Sequence, residues 1–242
     1  MTQAGPQIGF DRFIHRDWVS AALRVRAGLT EIQDLNELIA SSHSGDAAKK
    51  KTRTVLNRLW LEPRPELVDF ADRGVQIYRE APDTSVAVLG WGMAIATYPF
   101  FGRVAEIVGR LTALQGDCAS AEVHRRMSEI FGEREGTRRM TNMVLQSQAS
   151  WGAIERIENG KRLVRKPKID VGGTLPTAWL VEACLRYSGR PIPLPALEFL
   201  PVIFPFKIND QVTHAISRSP AFELRTEGHN KQIIDLKGRC DS

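Results

Sequence analysis

The chain has 242 residues, 43% of them hydrophobic and 25% charged, a balance that supports a packed core and excludes a disordered polymer. Its formal net charge of +5 favours a polyanionic partner only mildly, so local clustering of charge is more informative than the total. Cys118, Cys184 and Cys240 lie far apart, which argues against a disulfide framework or a Cys-x-x-Cys metal pair and fits a reducing cytoplasm.

The first nine residues read as an irregular lead-in without the basic and then apolar stretch that secretion requires. A helix is expected from Phe13 to Ala27, with Phe13, Ile14, Trp18, Ala22 and Val25 on one face and Gly28 as its stop. A second starts near Thr30, with Ile32, Leu35, Leu38 and Ile39 repeating the pattern, and Ser41 to Gly45 forms a loop. Asp46 is the expected cap of a third helix running toward Trp60, whose core face is Ala48, Val55, Leu56, Leu59 and Trp60. That helix is basic: Lys49, Lys50, Lys51, Arg53 and Arg58 face no acid between Ala47 and Leu61. Cations are unfavourable near a helix N-terminus, so this cluster needs an explanation. Two helices with a short turn, the second basic, follow helix-turn-helix grammar and make a second nucleic-acid surface possible.

Pro63 and Pro65 end the helix, and Glu66 to Arg79 continues as an amphipathic one. Thr84 to Leu114 is the apolar centre, read as two helices broken near Tyr98 because Pro99 disfavours helical geometry in the residue before it. The apolar run from Val86 to Phe101 is too short and too interrupted by Gly90, Gly92, Thr97 and Pro99 to span a membrane, so no membrane partner is expected.

Ser120 to Phe131 places Val123, Met127, Ile130 and Phe131 on one helical face, and Gly132 and Gly136 bracket a charged turn. The next helix, Thr137 to Trp151, is expected to turn Met140, Met143, Val144 and Trp151 inward and Arg138, Arg139, Thr141, Asn142, Gln146 and Gln148 mainly elsewhere. Ile154 to Lys166 reads as a hairpin centred on Asn159-Gly160, the pair best suited to positive φ at both central positions of a type I′ turn. From Arg134 to Lys168 there are nine Lys or Arg against three acids. The hairpin therefore forms a basic wing beside a helix whose Arg, Asn and Gln suit base edges, with Lys161, Arg162, Arg165 and Lys166 aimed at phosphates. Winged helices also dock proteins, and both readings remain open. His124, in the first of these helices, reads as a surface or phosphate-contacting residue rather than a catalytic base.

Val171-Gly172-Gly173 is the expected linker to a helix from Leu175 to Tyr187, with Trp179, Leu180, Ala183, Cys184 and Tyr187 inward. Pro191, Pro193, Pro195, Pro201 and Pro205 interrupt an apolar run that suits a strap over a hydrophobic groove. Asn209 or Asp210 caps a short helix to Ser217, and Phe222 to Arg225 and Gln232 to Leu236 pair as a hairpin around a turn at Glu227 to Asn230.

The fold class is thus mainly α: a helical bundle with winged helix-turn-helix units and a small C-terminal β-hairpin. The expected division is residues 1–116, 117–171 and 172–242.

The chain resembles the BrxA family, small accessory proteins of BREX phage-defence systems. The likeness rests on the basic helix Ala47-Ala48-Lys49-Lys50-Lys51-Thr52-Arg53 leading to Leu56-Asn57-Arg58-Leu59, on Trp91 and Tyr98-Pro99-Phe100-Phe101, and on Thr137-Arg138-Arg139-Met140. It covers residues 15 to 170 and leaves the Pro-rich C-terminal part unplaced. The resemblance implies a mostly helical double-stranded-DNA-binding protein that acts with a methyltransferase and other defence components.

No cofactor or metal is expected. The five histidines form no His-x-x-x-His pair, and the nucleotide-binding glycine loops and the Gly-x-Ser-x-Gly elbow are absent from the sequence. The best catalytic candidate is Asp235-Leu236-Lys237, which with Glu223 or Asp210 resembles a magnesium-dependent nuclease core. The expected Pro-Asp is missing, and a non-enzyme is the preferred reading.

Overall fold

A computed structural model describes residues 9–208, 212–227 and 231–238. The chain is mainly helical with small sheets. The N-terminal helices are α1 (Arg16–Arg26), α2 (Ile32–Ser42), α3 (Asp46–Leu56) and α4 (Val68–Glu80), with a wider π turn, Asn57–Leu61, after α3. Helix α1 starts later than its apolar pattern suggests because α8 (Glu135–Ser150) claims the preceding backbone. The Ile14 amide donates to Ser147 Oγ at 2.8 Å, and the Ile14 carbonyl accepts from Trp151 Nε1 at 2.9 Å. Phe13 and Ile14 consequently pack from an extended segment. Gly45, not Asp46, occupies the N-cap of α3; Asp46 is its first helical residue.

Helices α5 (Pro82–Thr97) and α6 (Pro99–Leu111) meet at Tyr98, whose backbone is extended, as the following proline requires. They lie at the centre of the fold, and α9 (Thr174–Ser188) packs against α5 and α4. The approach is close: a Cβ on Gly92 would stand 2.2 Å from the Trp179 ring. Trp179 stacks on Phe70 at 4.2 Å and donates its indole N–H to the Phe70 carbonyl at 2.8 Å, so its apolar body and polar handle are both satisfied. Glu182, also on α9, is 3% exposed, and its charge is compensated by Arg73 at 2.6 Å and Arg186 at 2.8 Å.

The expected linker is a tight connection. Strand β4 (Ile169–Asp170) pairs in parallel with β6 (Phe206–Lys207), Val171 is buried, and the Gly172 amide donates to Asp170 Oδ1 at 2.9 Å. The Pro-rich run is a strap over α6 and α5: the Val202 carbonyl accepts from Trp91 Nε1 at 2.9 Å, and Phe204 and Phe206 meet Trp91 edge-on. After α10 (Val212–Arg218), β7 (Phe222–Glu227) and β8 (Lys231–Leu236) form the expected hairpin, which β5 (Ile192–Pro193) extends to a three-stranded sheet. The expected caps Asn209 and Asp210 and the turn tip from residue 228 to 230 lie outside the described residues. One hydrophobic cluster runs from Phe10 to Ile234 through all three expected segments. Among the described residues no helix is long and apolar enough to cross a membrane.

Between α6 and β4 the chain runs β1 (Asp117–Ala119), α7 (Ser120–Phe131), α8, β2 (Ile154–Ile157) and β3 (Arg162–Arg165). The sheet order is β1-β3-β2, antiparallel, with Cys118 opposite Leu163 and Arg156 also opposite Leu163 from the other side. The last strand thus inserts between the first two and ties both helices to the end of α6.

Candidate nucleic-acid interface

Gly132, at φ 87°, ends α7, and α8 begins after extended Arg134, so Gly136 lies inside the helix rather than in the turn. The buried face of α8 is Thr137, Thr141, Val144, Leu145 and Gln148, a helical stripe displaced from the one the methionines suggest. Met140 and Met143 are half-buried, while Thr141 and Gln148 are wholly buried and not on the outer face. A threonine is tolerated there because Thr141 Oγ1 donates to the Thr137 carbonyl at 2.8 Å, which satisfies the hydroxyl within the helix.

This rotation leaves Arg138 and Arg139 exposed in the second turn of α8. Asn142, one turn on, is half-buried, and its Oδ1 accepts from Arg156 Nη2 on β2 at 2.8 Å, which leaves both N–H donors of its amide for another partner. Gln146 lies farther along, beside a hollow of about 380 Å³ lined by Phe13, His15 and Arg156.

At the hairpin tip Asn159 (φ 54°) and Gly160 (φ 82°) take the positive φ values expected of them, and the Lys161 amide donates to the Glu158 carbonyl at 3.1 Å. Strand pairing ends at Ile157 and Arg162, so the loop is four residues long, and Glu158 also adopts positive φ, at 51°. Lys161 and Lys166 are exposed. Arg162 pairs with Asp117 of β1 at 2.6 Å. Arg165 departs from its expected role as a phosphate contact. It turns inward, donating to Thr112 Oγ1 at 3.1 Å and to the Gly109 carbonyl at 2.9 Å, with its guanidinium 5.1 Å from the Phe204 ring centroid. Burial lowers its pKa. Arg165 therefore fastens the hairpin to α6 and the strap.

An open groove of about 1810 Å³ runs between α7, the start of α8, β1 and the 158–161 loop. Several charges on it and beside it are spent locally. Arg125 and Arg126 bond to Glu122, whose pKa their hydrogen bonds hold down at about 2, and Arg125 also pairs with Glu129. With those pairs and Arg162–Asp117 set aside, Arg134, Arg138, Arg139, Arg156 and Lys161 line the groove against Glu133, Glu135 and Glu158. His124 lies in the same groove with a lowered pKa, first through burial and then through Arg138 and Arg156. Burial raises the Cys118 thiol to about 11, which makes it a poor nucleophile at neutral pH.

The basic helix α3 stands elsewhere in the fold. Lys49 pairs with Asp46 at 3.2 Å, Lys51 with Asp11 at 3.7 Å, and Arg53 Nε donates to Asn57 Oδ1 at 3.2 Å. Lys50 is exposed. The acids that meet Lys49 and Lys51 come from the helix's own first residue, just outside the range in which the sequence offers none, and from the segment before α1.

At the C-terminus, Asp235 lies directly opposite Glu223, as a nuclease-like pair requires. Asp235 is 1% exposed, its Oδ1 accepts from the Leu236 amide at 2.8 Å, and Glu223 bonds to Arg225. Among the described residues no three His, Cys, Asp or Glu side chains gather as a metal site, and Asp210 lies outside them. Strand β1 and the Arg156–Asn142 contact escaped sequence inspection: a three-residue strand has no readable period, and the contact depends on how α8 meets β2. No family model, curated protein or solved structure matches this chain.

Proposed function

We propose that residues 99–165 form a winged helix-turn-helix that binds double-stranded DNA, with α8 entering the major groove and the 158–161 loop acting as the wing. The observation that carries this reading is the pair Arg138–Arg139, exposed and without an acid partner among the described residues, on the same groove as Lys161 of the loop. The order α6, β1, α7, α8, β2, β3, with β3 between the other strands, places the hairpin beside α8, which suits simultaneous contact with base edges and backbone. Phosphate contacts dominate, because guanidinium and ammonium groups outnumber the amide side chains suited to adenine. The protein acts without chemistry of its own, as a DNA-binding accessory; the resemblance to BrxA proteins suggests a phage-defence setting, and neighbouring methyltransferase and ATPase genes are the expected sign of it.

The test is duplex binding followed by fluorescence anisotropy as salt is varied. Affinity falls roughly a hundredfold or more between about 50 and 200 mM salt. Arg138→Ala weakens binding by about 1–3 kcal/mol, and Lys161→Ala costs less and lowers the salt slope by about one. A flat salt response, or equal binding by wild type and the Arg138/Lys161 double variant with both folded, overturns the proposal.

A further inference from the structure

The floor of the groove holds a cluster that general attraction to DNA does not explain. Arg156 crosses from β2 to α8, where Asn142 Oδ1 receives its Nη2 at 2.8 Å. It passes close under the wing loop at Gly160, where a Cβ would stand 2.6 Å from that same nitrogen. The glycine is thus needed both for its positive φ, 82°, and for the passage of the guanidinium. Arg156 Nε is buried without a hydrogen-bond partner, and so is His124 Nδ1 on α7. Arg138 of α8 lines the same part of the groove, near enough for its charge and that of Arg156 to act on the imidazole.

Neither Arg138 nor Arg156 has an acid partner among the described residues: Glu122 and Glu129 on α7 are engaged by Arg125 and Arg126, and Glu133, Glu135 and Glu158 line the groove without pairing with either. Burial, and after it the charges of Arg138 and Arg156, lower the pKa of the half-buried imidazole, and the two guanidinium groups repel one another. A bound anion reverses that balance. Guanidinium forks match tetrahedral oxyanions through paired N–H donors, and Asn142, its oxygen turned to Arg156, can offer its NH₂ donors to the same ligand.

We propose that Arg138, Arg156, His124 and Asn142 form a seat for a single phosphate group. Resting on the DNA-binding reading above, its occupant there is one backbone phosphodiester of the duplex, gripped at the junction of α8 and the wing; a free phosphate has the same chemistry. Arg156 and Asn142 set the geometry of the seat in advance, so one phosphate position contributes more than its share of the electrostatic attraction.

The experiment uses the full chain, with the His124 ring followed by NMR and duplex affinity by anisotropy at moderate salt. Inorganic phosphate and a 20-base-pair duplex serve as separate probes. Phosphate is expected to shift the His124 ring resonances in wild type and not in Arg156→Gln. Duplex affinity is expected to fall about tenfold or more in Arg156→Gln and comparably in Arg138→Gln, whose exposed site leaves folding intact. Lys161→Ala, outside the seat, retains the response to phosphate. Salt-dependent duplex binding with an unresponsive His124, and an Arg156→Gln variant within about twofold of wild type, overturns the seat and leaves the DNA reading standing. Response to phosphate with no duplex binding overturns the DNA reading and supports the seat as a site for free phosphate. Response to neither probe removes both.

Discussion

Two helix pairs in this protein share one grammar, and they differ in where their charge goes. In α2–α3 the second helix starts with a run of lysines, yet Asp46 and Asp11 take up Lys49 and Lys51, and Asn57 holds Arg53. In α7–α8 the second helix carries Arg138 and Arg139 near its start, which have no such partners among the described residues, and a hairpin stands beside it. A basic run is therefore a poor guide to an available surface. Two of the lysines of the α3 cluster are balanced by acids of the fold, whereas the α8 cluster faces a groove.

The sharpest way to break this contrast is at two wholly buried threonines, Thr52 in α3 and Thr141 in α8. Among the described residues Thr141 has only the Thr137 carbonyl for its hydroxyl, whereas Thr52 Oγ1 lies 3.0 Å from His43 Nε2. Thr141→Asp buries a carboxylate with no cation and should cost about 3–5 kcal/mol. Thr52→Asp keeps a ring nitrogen of His43 within reach as a hydrogen-bond partner and should cost less by about 1 kcal/mol or more. Urea titrations of the two variants measure the difference; equal losses would mean that the surroundings of the two sites do not differ as described.

The next effect concerns binding. Lys49→Ala combined with Lys51→Ala removes cations that are already balanced, so duplex affinity should drop less than about threefold at moderate salt, against about tenfold or more for Arg138→Ala. If the lysine double variant lost as much as Arg138→Ala in anisotropy, α3 would become the leading DNA surface.

The smallest comparison lies within the hairpin. Arg165→Ala gives up hydrogen bonds to Thr112 and Gly109 and its place over Phe204, and should lower stability by about 1–2 kcal/mol. Its neighbour Lys166 is exposed, and Lys166→Ala should leave stability within about 0.5 kcal/mol while reducing the salt slope. Thermal melts and salt titrations of the pair separate the two roles.

The amino-acid sequence by itself determined the helical elements, because apolar spacing at the helical period, with Pro99 and the glycine stops, is a local property of the chain. It also determined the Asn159-Gly160 turn, since few residue pairs tolerate positive φ at both positions, and the concentration of positive charge between Arg134 and Lys168. Tertiary structure alone decided which of those charges are available. Arg162 meets Asp117, Arg165 turns to α6, and Lys51 meets Asp11, each through a partner distant in sequence. It likewise decided the rotation of α8, burying Thr141 and Gln148 where the methionines pointed elsewhere. An amphipathic pattern specifies that a helix has an inner face, but hydrogen-bonded threonines and half-buried methionines differ too little in cost for the pattern to set the angle. That angle comes from the elements packed around α8, and with it the meeting of Asn142 and Arg156.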